Sequence, residues 1–151
     1  MQVWSSIDQV LDYAIREEEA AAEFYTQLAQ QTERPAMRQT LESFAQEELR
    51  HKQRLLAIKG GGAASGSAAQ PVADLRLADY MVDMVPSPFM SYRELLVVAM
   101  HKEKAAFKLY TDLAAAATDD QVRATFLSLA QEEARHKLHF EIEYDDTMTE
   151  N

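Results

Sequence analysis

The segment FAQEELRHK, residues Phe44 to Lys52, returns as LAQEEARHK, residues Leu129 to Lys137. The offset of 85 residues between them also carries Ala14 onto Ala99, Glu18 onto Glu103, Tyr25 onto Tyr110 and Leu28 onto Leu113, without a gap. It carries Thr26 onto Thr111, Ala29 onto Ala114, Arg38 onto Arg123 and Thr40 onto Thr125 as well. A repeat of this length marks two copies of one supersecondary unit. Both copies are helical by pattern. From Ile7 to Thr32 the chain has neither Gly nor Pro, and Leu11, Ala14, Ile15, Tyr25 and Leu28 fall near one stripe of a 3.6-residue helix.

Working outward from the repeat gives four helices. Ser5 or Ser6 is the expected N-cap of the first, which runs to about Thr32. Pro35 suits the first turn of a second helix, which runs to Lys59 and stops at the glycines Gly60, Gly61 and Gly62. Ser91 and Glu94 form a capping box that opens a third helix over 92–117. The turn Thr118-Asp119-Asp120 opens a fourth over 121–144, and a polar tail follows from Asp145. The expectation is a single all-α domain over 1–151: hairpin one over 6–59, a linker and crossover over 60–90, and hairpin two over 91–145. Within the crossover, Gly60 to Gln70 has linker composition, Asp74 to Asp83 could form a short helix, and Pro86 and Pro88 break the chain. Two antiparallel hairpins joined by one long crossover form a known plan for a four-helix bundle.

Composition narrows the chemistry. The 151 residues are 47% hydrophobic and 26% charged, with 15 Lys+Arg against 25 Asp+Glu and a formal net charge of −10. That length can bury a core without staples. With no cysteine, disulfides, thiolate zinc sites, thiol nucleophiles and iron–sulfur centres are excluded. The acidic balance argues against nucleic acid as a partner. The longest apolar stretch, Leu95 to Met100, is far short of the about 20 residues that span a bilayer, so no membrane partner is expected. The N-terminus has neither the basic region nor the apolar run of a secretory signal, so a cytoplasmic location is expected.

The polar residues kept in both copies carry the functional reading. Glu48 and His51 form Glu-x-x-His, repeated as Glu133 and His136. Residues three apart share a helix face, so a carboxylate and an imidazole converge on one point. Glu18 and Glu103 lie on the apolar stripes of the first and third helices, seven residues before Tyr25 and Tyr110. The core would then hold four carboxylates and two imidazoles. Four unpaired carboxylates in a core are very costly, and two divalent cations would neutralise them. Oxygen ligands with one imidazole per metal suit iron, with manganese or zinc as substitutes. One Glu-x-x-His alone is usually surface decoration; two at one offset, each with a stripe glutamate, are not. The neighbours diverge, Glu17 facing Lys102 and Glu19 facing Lys104 in the alignment of copies, and are read as solvated faces. Glu47 and Glu132 recur beside the ligand pairs, with an outer-shell or a surface role open to each. Tyr25 and Tyr110 are candidates for bonding a ligand carboxylate or for a catalytic relay. Trp4 is read as a packing residue or subunit contact, and His101 and His139 as exposed.

The segments AIREEEAAAEFY (Ala14–Tyr25), QEELRH (Gln46–His51), AMHKEKAAFKLY (Ala99–Tyr110) and QEEARH (Gln131–His136) resemble the rubrerythrin-like branch of the ferritin-like superfamily. The resemblance implies a bundle with a di-iron centre, with Glu18 and Glu103 as terminal carboxylates, Glu48 and Glu133 as bridges, and His51 and His136 as imidazole ligands. Full rubrerythrins append a cysteine-ligated rubredoxin domain. Its absence here implies an external electron donor such as a separate rubredoxin. Peroxide-reducing members carry an extra glutamate where this chain has Ala106, whose repeat equivalent is Ala21. The six-ligand set is nearer to the symmetric site of bacterioferritins. The expected function is Fe(II) oxidation or O2/peroxide reduction at a dinuclear site, in oxidative-stress defence or iron handling, by a homodimer or larger homo-oligomer. An iron-storage or carrier subunit and a metal-stabilised interaction module are the alternatives.

Overall fold

The computed structural model describes Trp4 and residues 6–61, 75–82 and 84–149. Four α-helices make up nearly all of these residues: α1 (Ile7–Gln31), α2 (Pro35–Gly61), α3 (Tyr92–Ala116) and α4 (Asp120–Thr149). Their starts follow cap chemistry. The Ser6 hydroxyl accepts from the Gln9 backbone N–H at 3.3 Å, so Ser6 is the N-cap of α1 and Ser5 lies outside the described residues. At α3 the capping box is complete: Ser91 Oγ accepts from Glu94 N at 3.2 Å, and Glu94 Oε1 accepts from Ser91 N at 3.0 Å. At α4, Asp119 Oδ1 accepts from the backbone N–H groups of Gln121 and Val122, each at 3.0 Å.

The arginines kept by the repeat tie each hairpin's turn. Arg38 donates to the Ala29 and Thr32 carbonyls, and Arg123 donates to the Ala117 carbonyl, the repeat equivalent of Thr32. In both hairpins, carbonyls left open at the end of one helix are thus satisfied by the next.

Two boundaries depart from the sequence reading. Helix α2 continues into the glycines to Gly61, and α4 continues five residues past Tyr144. The extension of α4 has a tertiary cause. Arg93 of α3 donates to the Thr147 carbonyl, placing a cation on the C-terminal end of the helix. Thr147 and Thr149 bond back to the Tyr144 and Asp146 carbonyls at 2.7 and 3.0 Å. One turn earlier, the buried Glu143 pairs with Arg34 of the α1–α2 turn and accepts the Tyr92 hydroxyl at 2.7 Å. The short helix read over 74–83 shrinks to a single 3₁₀ turn, Leu77–Asp79, while Asp74 and Asp83 lie outside the described residues. The same holds for 62–70, most of the glycine-rich segment.

Backbones approach closely within each hairpin, α1 with α2 and α3 with α4, and at only a few places between hairpins. The seam between hairpins is therefore bridged by side chains. The expected stripe residues Leu11, Ala14, Ile15, Tyr25 and Leu28 are all buried. The apolar core falls into two clusters. One holds Trp4, Leu11, Leu55, Leu113, Phe126 and Leu129; the other holds Leu28, Leu41, Phe44, Leu96, Val98 and Phe140. Each helix contributes to both clusters, and each carries the polar residues of the repeat on the stretch between them. The crossover runs the length of the bundle, because Leu75 and Tyr80 pack on the first cluster while Met84 and Met90 pack on the second. Among the described residues, no helix is long and apolar enough to cross a membrane.

Candidate metal centre

Between the two apolar clusters lies a polar layer drawn from all four helices. Glu18, Glu48, His51, Glu103, Glu133 and His136 are each at most 2% exposed. Their ligand atoms form two overlapping groups. Glu18, Glu48, His51 and Glu133 make one; Glu48, Glu103, Glu133 and His136 make the other; within each, one atom per residue lies within 4.8 Å of every other. Glu48 and Glu133 belong to both groups. The structure thus brings together all six residues singled out by the repeat, with the two carboxylates of the Glu-x-x-His pairs in the shared positions.

Both imidazoles turn Nδ1 inward. His51 Nδ1 lies 3.2 Å from Glu18 Oε2, 3.2 Å from Glu48 Oε1 and 3.1 Å from Glu133 Oε1. His136 Nδ1 lies 3.5 Å from Glu48 Oε1, 3.7 Å from Glu103 Oε2 and 3.6 Å from Glu133 Oε1. The two rings are nearly parallel, at 12° and 6.2 Å between centroids. The Phe44 ring stacks on His136 at 4.0 Å and fixes its plane.

The outward edges of the imidazoles meet the recurring carboxylates. His51 Nε2 faces Glu132 Oε1 at 3.2 Å, and Glu132 is held in turn by Arg54 at 2.9 Å and the Ser128 hydroxyl at 3.1 Å. His136 Nε2 lies 3.5 Å from Glu47 Oε1, which pairs with Arg135. For Glu132 the geometry selects orientation of His51; Glu47 lies beside His136 without a hydrogen bond to it. Arg54 escaped the sequence reading because it aligns with His139; Arg135 recurs as Arg50, but its reach across to Glu47 of the other hairpin is a tertiary contact that no local pattern contains.

The tyrosines cross over. Tyr110 of α3 donates to Glu18 Oε1 of α1 at 2.8 Å, and Tyr25 of α1 donates to Glu103 Oε1 of α3. Each phenol holds the stripe glutamate of the other hairpin and leaves that carboxylate's second oxygen pointing into the centre. Of the two candidate roles for the tyrosines, this contact supplies the carboxylate bond. Both phenols are raised well above their ordinary range by burial and by the nearby carboxylates, so they are neutral donors.

The inward atoms are among the buried atoms left without a hydrogen-bond partner. Among the described residues, Glu18 Oε2, Glu48 Oε1, His51 Nδ1, Glu103 Oε2, Glu133 Oε1 and His136 Nδ1 are buried without a hydrogen-bond partner. Such atoms are rare in folded proteins, and here one comes from each of six residues aimed at a common space. Burial, and then the mutual repulsion of the carboxylates, raises Glu48 and Glu133 well above the ordinary carboxylate range. Burial likewise raises Glu18, against the opposing effect of His51 and Tyr110. Burial opposes the charged form of His51, but Glu133 and Glu18 outweigh it and push the imidazole up to about 11. The layer is electrostatically frustrated, and divalent cations would relieve it. Oxygen-rich sites with one imidazole each fit iron or manganese, so the donor set matches a dinuclear carboxylate centre.

His101 and His139 are exposed, as expected. Trp4 is buried and stacks on Tyr80 at 5.7 Å, a packing role. Sequence reasoning missed Tyr80 and Val82, which border the centre's outer side. They lie in the crossover, which has no counterpart in the repeat.

A family model described as a ferritin-like domain matches residues 7–141, a span that holds all four helices up to the last turns of α4. No curated protein and no solved structure matches the chain significantly.

Proposed function

The chain belongs to the ferritin-like domain family, and from that premise we propose that it is a rubrerythrin-like di-iron carboxylate protein. In this reading it oxidises Fe(II) or reduces O2 or peroxide, in oxidative-stress defence or iron handling. One observation carries the reading: six buried donor atoms without hydrogen-bond partners, arranged as two overlapping groups that share Glu48 and Glu133. Glu18 and His51 would complete one iron site, and Glu103 and His136 the other. Two iron ions, when bound, supply one electron each, enough to take O2 to hydrogen peroxide or hydrogen peroxide to water.

The chain's own residues do the rest. Glu48 and Glu133 would hold the two ions at a short separation. Tyr25 and Tyr110 hold the terminal carboxylates, each from the opposite hairpin. Glu132 would accept the outer N–H of His51, which keeps Nδ1 of that ring free as an electron-pair donor, while Glu47 lies beside Nε2 of His136. The apolar clusters above and below exclude bulk water. The electrons for a repeated cycle would come from an electron donor such as a rubredoxin. The protein would act in the cytoplasm as a homodimer or larger homo-oligomer.

The test is anaerobic titration with Fe(II), followed by separate additions of O2 and hydrogen peroxide watched by absorption. The reading expects saturation at two ions per chain and rapid oxidation by at least one oxidant. Glu48→Ala, which removes a shared donor, should abolish two-metal binding; an unchanged stoichiometry would overturn the assignment.

A further inference from the structure

A cavity of about 40 Å³ lies between α1 and α3 and ends on the polar layer. Its inner wall is formed by Glu18, Glu48, Glu103 and Glu133, and its mouth is bordered by the exposed Glu17 and the half-buried Lys102. Between them the neck is lined by Ala21, Ala105, Ala106 and Leu109. The cavity sits on the axis that relates the two hairpins, because Glu17, Glu18 and Ala21 of α1 face their repeat equivalents Lys102, Glu103 and Ala106 of α3. At the opposite side of the centre, between α2 and α4, the space is filled by the Glu132–Arg54 and Glu47–Arg135 pairs.

The crossover covers this mouth and breaks the symmetry. Tyr80 and Val82 lie along its outer edge. Tyr80 is held from several directions: its hydroxyl donates to Asp112 at 2.8 Å, its ring stacks on Trp4, Lys108 lies 4.9 Å from the ring centroid, and its carbonyl accepts the Tyr13 hydroxyl at 3.5 Å. A side chain anchored in this way is a fixed rim.

We propose that this cavity is the entry route for the oxidant, and that the Tyr80–Val82 rim restricts it to small uncharged oxidants such as O2 and hydrogen peroxide. The proposal rests on the di-iron reading above. A cavity of this size holds roughly three water-sized probes, room for an oxidant of two heavy atoms but not for an organic substrate. The alanine neck offers an ion no replacement for its hydration shell, so neutral molecules pass at lower cost. The alanines at 21 and 106 keep the route open, since a longer side chain at either would fill the neck.

Three measurements test this. First, anaerobic Fe(II) binding is compared in the wild type, Ala106→Leu and Tyr80→Ala; two ions per chain are expected in all three. Failure of the wild type to bind two would sink the di-iron reading rather than the entry route. Second, oxidation rates are measured with hydrogen peroxide and with tert-butyl hydroperoxide. Ala106→Leu should slow oxidation by hydrogen peroxide about tenfold or more. Tyr80→Ala, which opens the rim, should raise the rate with the bulky hydroperoxide relative to hydrogen peroxide by about tenfold. Third, crystals of the metal-free protein under xenon should show a xenon atom between Ala21 and Ala106 in the wild type and none in Ala106→Leu. Unchanged rates in Ala106→Leu, an unchanged oxidant preference in Tyr80→Ala, or xenon absent from the wild-type neck would each overturn the proposal.

Discussion

Glu18 shows how much one carboxylate is asked to do in this fold. One of its oxygens accepts the Tyr110 hydroxyl at 2.8 Å, and the other faces the centre without a hydrogen-bond partner. Tyr110→Phe removes the donor and leaves a buried acceptor unsatisfied, a change worth about 1–3 kcal/mol. The phenol also orients a candidate metal ligand, and loss of such a contact typically weakens metal affinity about 10–100-fold. Tyr110→Phe should therefore lower both the melting temperature of the metal-free protein and its affinity for Mn(II), measured by calorimetry. Tyr25→Phe should act alike on the half of the centre that contains Glu103. An unchanged affinity in both variants would leave the tyrosines as packing residues only. The pairing across hairpins was not legible in the sequence. The repeat shows that Tyr25 and Tyr110 are kept, but only the antiparallel seam of α1 and α3 brings each phenol to the other copy's glutamate.

At the scale of the elements, starts were more legible than ends. Ser91 with Glu94, Asp119 and Pro35 announce helix starts through local hydrogen-bond chemistry, which a short window of sequence contains. The end of α4 was misplaced because its cause is tertiary: Arg93 of another helix caps the Thr147 carbonyl. Glu143 belongs to the same class. Its repeat equivalent is Ile58, so the periodicity gave no hint that a buried carboxylate there would meet Arg34 and Tyr92. The distinction predicts two different mutational outcomes. Ser91→Ala breaks the capping box and should cost about 1 kcal/mol, read as a fall in melting temperature of the whole protein. Arg93→Ala should instead release the last turns of α4 while the rest of the bundle stays intact. Hydrogen exchange would then show lost protection confined to residues near Thr147; loss spread along α4 would contradict the local role.

The whole molecule is a compromise between a core that folds and a layer that resists folding until its charge is balanced. The six candidate ligands could be read from the sequence because the repeat places them twice. The route to them could not, because the crossover that forms its rim occurs once. The compromise has a pH dependence with a definite sign. In the metal-free protein Glu48, Glu133 and Glu18 are raised by burial, and His51 is pushed up to about 11 by its carboxylate neighbours despite burial. A group raised in the folded state contributes stability that is present below its ordinary pKa and is lost as pH rises through the raised value. All four groups therefore act in one direction. The metal-free protein should lose stability as pH rises from the ordinary carboxylate range through neutrality, with the His51 contribution declining between about 6.5 and about 11. Cations reverse this, because they bind the deprotonated ligands and replace protons as the balancing charge. The rise in melting temperature on adding Mn(II) or Zn(II) should be larger at pH 8 than at pH 5.5, and metal loading near neutrality should release protons. Calorimetric titration in two buffers of different ionisation heat measures that release directly. Identical heats in both buffers, or a metal-induced stabilisation that shrinks as pH rises, would mean that the buried carboxylates and His51 are not the groups that receive the metal.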